Sequence, residues 1–113
     1  MDKTLQPSKI TILNVNDDDT SRYAISHVLH SAGFEVVEAV TGTDALRLAR
    51  EHPDLIVLDV QLPDITGFEV CERLKADPST FSIPVLYLSA PHRNDQVRVE
   101  ELSGGADSYL TAP

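Results

Sequence analysis

The sequence predicts an α/β fold: a doubly wound parallel sheet of five strands with helices on both faces. Three observations predict it. From Ile10 onward, short β-like runs alternate with helix-like stretches. The connections between them are short, and alternation of this kind implies parallel strands joined by right-handed crossovers. The run Leu55-Ile56-Val57-Leu58 is continuously apolar rather than alternating, as in a strand covered on both faces.

Residues 1–9 read as a disordered lead-in and residues 10–113 as the domain. Ile10 to Val15 is the first strand, and Asn16 to Asp19 form a polar loop suited to capping a helix. Thr20 to Ala32 carries apolar residues at Ala24, Ile25, Val28, Leu29 and Ala32, a helical spacing. Gly33 stands where a C-cap glycine belongs. Phe34 to Ala39 is the second strand. Thr41 with Asp44 has the form of a capping box and opens a second helix to about Glu51, which Pro53 stops. After the third strand, Leu55 to Leu58, the pair Thr66 and Glu69 repeats the capping pattern. It starts a third helix with Phe68, Cys71 and Leu74 on its inner face. Pro84 to Ser89 is a fourth strand. Asn94 to Ser103 is a weaker helix closed by Gly104-Gly105, and Ser108 to Thr111 is a fifth strand. Five strands against four helices leave the last strand without the helix that usually covers it.

Bulk properties narrow the function. The 113 residues suffice for one core and not two. The chain is 42% hydrophobic and 24% charged, ordinary for a soluble globular domain. Its 18 acids against 9 bases give a net charge of −9, which argues against a nucleic-acid surface built from clustered Lys and Arg. One cysteine, Cys71, excludes an internal disulfide and suits a reducing cytoplasm. Met1 to Lys9 lacks the apolar centre of a signal peptide, and no apolar run approaches the length of a bilayer span.

In open α/β sheets, ligands bind beyond the carboxyl ends of the strands. Those ends carry Asn16, Asp17, Asp18 and Asp19 after the first strand, and Asp59, Val60 and Gln61 after the third. Ser89 and Ala90 follow the fourth, and Thr111, Ala112 and Pro113 the fifth. With strands one, three and four adjacent, Asp17, Asp59 and Ser89 converge. Asp59 directly follows four apolar residues, where a carboxylate is costly unless paired or coordinated. Alone it reads as a turn residue, and Asp18 and Asp19 read as helix caps. Several carboxylates in one crevice repel, however, and a hard cation relieves them. Mg2+ takes oxygen ligands, commonly one or two carboxylates with waters and a phosphate. Asp17, Asp59 and the carbonyl of Gln61 would supply three oxygens. A carboxylate oxygen so placed can attack phosphorus and form an acyl phosphate, with the Ser89 hydroxyl bonding another oxygen.

These residues resemble the receiver domain of two-component response regulators. The matching segments are Ile12 to Asp18, Asp54 to Asp64 with Gly67, Ile83 to Ala90, and Gly105 to Thr111, in order and at the spacing of a β-α repeat. The resemblance implies strand order 2-1-3-4-5. It implies that Asp59 accepts a phosphoryl group from a histidine kinase or histidine phosphotransfer protein, with Asp17 and the Gln61 carbonyl as Mg2+ ligands. Ser89 would be the hydroxyl that moves toward the phosphoryl group, and Tyr109 the aromatic that turns inward with it.

Three departures qualify what the resemblance implies. Asn16 stands where the family has a carboxylate, so Mg2+ binding is expected to be weaker but retained. Ala112 stands where the family has a lysine that pairs with the acceptor, a charge-assisted bond contributing roughly 1.5–3 kcal/mol. The family's fifth helix is missing, which implies a fragment of a longer protein whose bare sheet face self-associates. The leading reading is therefore a phosphorylated switch rather than a turnover enzyme. The alternative is a degenerate receiver, an interaction module with weak or lost phosphorylation. An Asp-x-Asp within Asp17-Asp18-Asp19 also admits a phosphohydrolase, but such enzymes need a cap domain and a longer chain. A flavin site is opposed by the acidic loop, which would repel the cofactor's phosphate.

Overall fold

A computed structural model describes residues 9–89 and 108–111. Eight elements follow in order: β1 (Thr11–Val15), α1 (Asp19–Ser31), β2 (Glu35–Ala39), α2 (Gly42–Ala49), β3 (Leu55–Asp59), α3 (Gly67–Ala76), β4 (Val85–Ser89) and β5 (Ser108–Thr111). The strands form one parallel sheet ordered β2-β1-β3-β4-β5, as expected. The lead-in through residue 8, the helix expected at 94–103 and Ala112 lie outside the described residues.

Strands β1, β3 and β4 bury both faces because period-two side chains meet helices on each side. Leu13, Val15, Ile56, Leu58, Val85 and Tyr87 pack with Ala45 and Ala49 of α2 and with Val70, Cys71 and Leu74 of α3. On the opposite face, Ile12, Val57 and Leu88 pack with Ile25 and Leu29 of α1. Each large aliphatic side chain fully withdrawn from water contributes about 1.5–3 kcal/mol. Phe68 sits at the rim of the first core, edge-on to Tyr87 at a ring separation of 5.6 Å.

The helix ends follow from local hydrogen bonding, with small shifts from the expected bounds. The first helix begins at Asp19 rather than Thr20, because Asp18 is the N-cap and its Oδ2 accepts the Ser21 N–H at 2.8 Å. It ends in a Schellman motif: the Gly33 N–H donates to the His30 carbonyl and the Phe34 N–H to the Leu29 carbonyl, with Gly33 at φ 100°. Thr41 and Thr66 cap α2 and α3 through the N–H groups of Asp44 and Glu69. The acids of these pairs do not reach back to close a capping box. Asp44 pairs with Arg47, and Glu69 with Arg73.

Candidate functional site

Parallel pairing brings the carboxyl ends of β1, β3 and β4 to one edge. Val15 is opposite Leu58, and Asp59 is opposite Leu88, so Ser89 lies one step beyond the partner of Asp59. Ser89 pairs in turn with Thr111, and Tyr109 pairs with Tyr87 one strand away. Asp59 is the last residue of β3 and half-buried, while Asp17 and Gln61 are exposed at the mouth. The fold thus assembles at one end the backbone positions of Asn16, Asp17, Asp59, Gln61 and Ser89.

The loop after β1 divides its polar residues by task. Asn16 is 3% exposed, and three of its four polar groups have partners within the fold. Its N–H donates to the Ala39 carbonyl at 3.0 Å, its carbonyl accepts from Arg22 Nη1 at 3.0 Å, and its Oδ1 accepts the Asp18 N–H at 2.9 Å. Asp18 caps α1, and that bond to Ser21 holds its carboxyl below the usual carboxylate range. Asp19 pairs with Arg22 at 2.6 Å. Among the described residues Asp17 has no hydrogen bond or ion pair. Of the three acids in this loop, it alone has no partner among the described residues.

The loop after β3 is fastened at two points. The Gly67 N–H donates to the Val60 carbonyl at 2.7 Å, and a Cβ at Gly67 would stand 2.3 Å from the Asp59 carbonyl oxygen. Only glycine lets α3 start so close to the strand end. Asp64 makes the second fastening. Its Oδ1 accepts the Gly42 N–H at 2.8 Å, and its Oδ2 accepts the Thr43 N–H at 2.9 Å and hydroxyl at 2.6 Å. The Thr43 hydroxyl, then the backbone N–H groups of Thr43 and Gly42, hold the Asp64 carboxyl far below its ordinary range. These bonds set the carboxylate at the N-terminus of α2, where the helix dipole favours it.

The donor set suits Mg2+. Asp17 and Asp59 offer carboxylates and Gln61 a backbone carbonyl, all hard oxygens, with solvent beside them to complete an octahedron. Among the described residues no three His, Cys, Asp or Glu side chains cluster as a metal site, so a cation here would rest on two carboxylates. Asn16 Oδ1 already accepts one hydrogen bond and keeps one lone pair.

Sequence reasoning missed Arg22 and Asp64. Arg22 had a legible signal: a cation on the stripe Arg22, Ile25, Ser26, Leu29 that α1 turns to the sheet. Asp64 had none, since its partners lie 21 and 22 residues away.

Comparison with known proteins agrees with this geometry. The family model of the response regulator receiver domain matches residues 12–113. The transcriptional regulatory protein AfsQ1 of Streptomyces coelicolor is 45% identical over 105 residues, 91% of this chain and 44% of that protein. The chain therefore spans less than half the length of that relative. A crystal structure of a putative response regulator from Chloroflexus aurantiacus superposes with a TM-score of 0.88 at 36% identity, covering 94% of this chain and 87% of that one. The receiver domain of a sensor histidine kinase from Pseudomonas aeruginosa, described with a magnesium ion coordinated in its active-site cleft, superposes with a TM-score of 0.84 at 28% identity, covering 94% of this chain and 87% of that one.

Proposed function

The chain belongs to the response regulator receiver domain family, a family of signalling domains, and on that premise we propose that Asp59 accepts a phosphoryl group from a histidine kinase or histidine phosphotransfer protein in a Mg2+-dependent reaction. The observation that carries the reading is the division of the acidic loop. Asp18 and Asp19 are committed to α1 and Arg22, and Asp17 remains open beside the strand end that bears Asp59.

Asp17 and Asp59 would hold the cation through carboxylate oxygens, with the Gln61 carbonyl as a third donor and Asn16 as the neutral member of the set. The bound cation supplies charge neutralisation at the phosphoryl oxygens. An Asp59 carboxylate oxygen attacks phosphorus as the phosphorus–nitrogen bond of the donor phosphohistidine breaks. The electron pair of that bond returns to the imidazole nitrogen, and Asp59 becomes an acyl phosphate. The family resemblance gives Ser89 the task of bonding a phosphoryl oxygen, and Tyr109 that of turning inward with it. The single free thiol fits a cytoplasmic setting, and among the described residues no helix is long and apolar enough to cross a membrane.

A second reading, a degenerate receiver used only for protein interaction, draws on Asn16, whose side-chain oxygen serves the loop, and on the alanine at 112. Incubation with acetyl phosphate and Mg2+, followed by intact mass measurement, separates the two. The proposed function gives a gain of one phosphoryl group that Asp59→Asn abolishes. No gain in the unaltered chain selects the interaction module.

A further inference from the structure

The polar residues beneath the acidic loop form a connected chain that the family resemblance does not explain. Arg22 lies on the inner stripe of α1, and its side chain is 15% exposed. Its three guanidinium nitrogens go to three different segments. Nη1 donates to the Asn16 carbonyl at 3.0 Å, Nη2 to Asp19 at 2.6 Å, and Nε faces Glu38 Oε1 of β2 at 3.5 Å. Glu38 Oε2 accepts the Ser26 hydroxyl at 2.6 Å. Ser26 accepts in turn from Asn14 Nδ2 at 3.0 Å, and the same amide nitrogen lies 3.2 Å from the Arg22 carbonyl. Asn14 is wholly buried in the middle of β1, in register with Glu38 on one side and Val57 on the other.

A helix arginine needs no such arrangement to be stable on its own helix; the pair with Asp19 three residues back would suffice. What the other two contacts add is a brace from β2 to the peptide that joins Asn16 to Asp17. The Asn16 carbonyl belongs to that peptide, so fixing it fixes the plane from which the Asp17 side chain leaves. A planar fork with three directions of donation can do this, and a lysine ammonium on a flexible stem cannot hold the same three partners at once.

We propose that Arg22 is a positioning residue of the cation site, bracing the Asn16–Asp17 peptide against Glu38 so that the Asp17 carboxylate is presented to Mg2+ in one geometry. The inference rests on the reading of Asp17 and Asp59 as cation ligands given above. Removing a group that holds a metal ligand in place commonly costs 10- to 100-fold in metal affinity.

The charge of Arg22 alone would act in the opposite direction. A cation close to Asp17 weakens attraction for a divalent ion, so deleting a purely electrostatic arginine tightens Mg2+ binding, and Arg22→Lys leaves it unchanged. The brace makes the contrary prediction. Isothermal titration with MgCl2 on the folded chain should show about tenfold weaker binding in Arg22→Lys and in Arg22→Gln alike. A metal-free readout accompanies it: amide exchange at Asp18, whose N–H is held by Asn16 Oδ1, should quicken in both variants. Should either Arg22 variant fail to fold, Glu38→Asp keeps the charge but draws the carboxylate back from Arg22 Nε, and should weaken Mg2+ in the same direction. Mg2+ binding in Arg22→Lys equal to that of the unaltered chain overturns the brace. If Asp17→Asn still abolishes binding in that case, the cation reading stands without it. Absence of Mg2+ binding in the unaltered chain overturns both.

Discussion

Replacing Gly67 with alanine should destabilise this fold, although helix propensity alone predicts the reverse. Gly67 opens α3, and glycine to alanine within a helix gains up to about 1 kcal/mol. The added Cβ, however, would lie 2.3 Å from the Asp59 carbonyl oxygen, 2.9 Å from Val60 Cα and 3.1 Å from the Asp59 carbonyl carbon. All three are main-chain atoms, so no rotamer change relieves the contact. Reaching an ordinary separation of 3.4 Å requires the helix start and the strand end to part by about 1.1 Å. A parting of that size also breaks the 2.7 Å bond from the Gly67 N–H to the Val60 carbonyl. Overpacking costs roughly 1–3 kcal/mol and the lost bond roughly 0.5–1.5 kcal/mol. Set against the propensity gain, the net is a loss of about 2 kcal/mol, or a melting temperature lower by roughly 8–16 °C for a domain of this size.

Urea unfolding followed by far-UV circular dichroism measures this directly. Gly42→Ala is the internal control. Its Cβ would meet Ile65 Cγ1 at 2.4 Å and Val70 Cγ2 at 2.9 Å, side-chain atoms rather than main chain. Ile65 is only partly buried and can turn aside. Gly67→Ala should therefore cost more than Gly42→Ala. A Gly67→Ala chain as stable as the original, or an inverted ranking, would refute the claim that the approach of α3 to the Asp59 carbonyl is what demands glycine.

Two further outcomes are expected. Asp64 has a folded pKa depressed below its unfolded value near 3.9, so its contribution to stability is complete above that pH and is lost as pH falls toward the folded pKa. Asp64→Asn should be less stable than the original at neutral pH and should lose stability less steeply between about pH 4 and pH 2; parallel pH profiles from urea unfolding would count against it. Cys71 is 0% exposed in the core, so a thiol reagent should label it only through unfolding, about a thousandfold or more slower than a denatured chain; prompt labelling in native buffer would show that α3 does not pack as described.

The sheet was legible in the sequence because a parallel strand buried on both faces must be apolar throughout, and Leu55 to Leu58 state that directly. The turns were legible because Gly33 and Pro53 act through backbone geometry that no neighbour overrides. The start of α1 shifted by one residue because an Asp at 18 or at 19 can cap equally well on paper; the Ser21 N–H bonds only Asp18. For the candidate site, the convergence of backbone positions was legible and the contacts of each side chain were not. Asn16, Asp17, Asp18 and Asp19 are four short polar residues in a row, and their spacing does not tell a ligand from a cap. What tells them apart is contact with Ala39 and Arg22, which a reading of local pattern does not reach. Asn14 escaped notice for the same reason. One amide in an apolar strand has no periodicity, and its meaning comes from Ser26 across the α1 interface.

This division of labour bears on how Asn16 departs from its family. The loop uses the Asn16 side chain as an acceptor, through Oδ1 to the Asp18 N–H, and an aspartate oxygen would accept that bond equally well. The frame is therefore indifferent to the amide, and the substitution leaves Asp17 where a carboxylate at 16 would also have left it. On the proposal that Asp17 and Asp59 hold Mg2+, its effect would fall on charge alone: one unit fewer beside the ion, with two carboxylates kept. A departure of that kind would lower affinity without dismantling geometry, so Asn16 by itself does not favour the interaction-module reading.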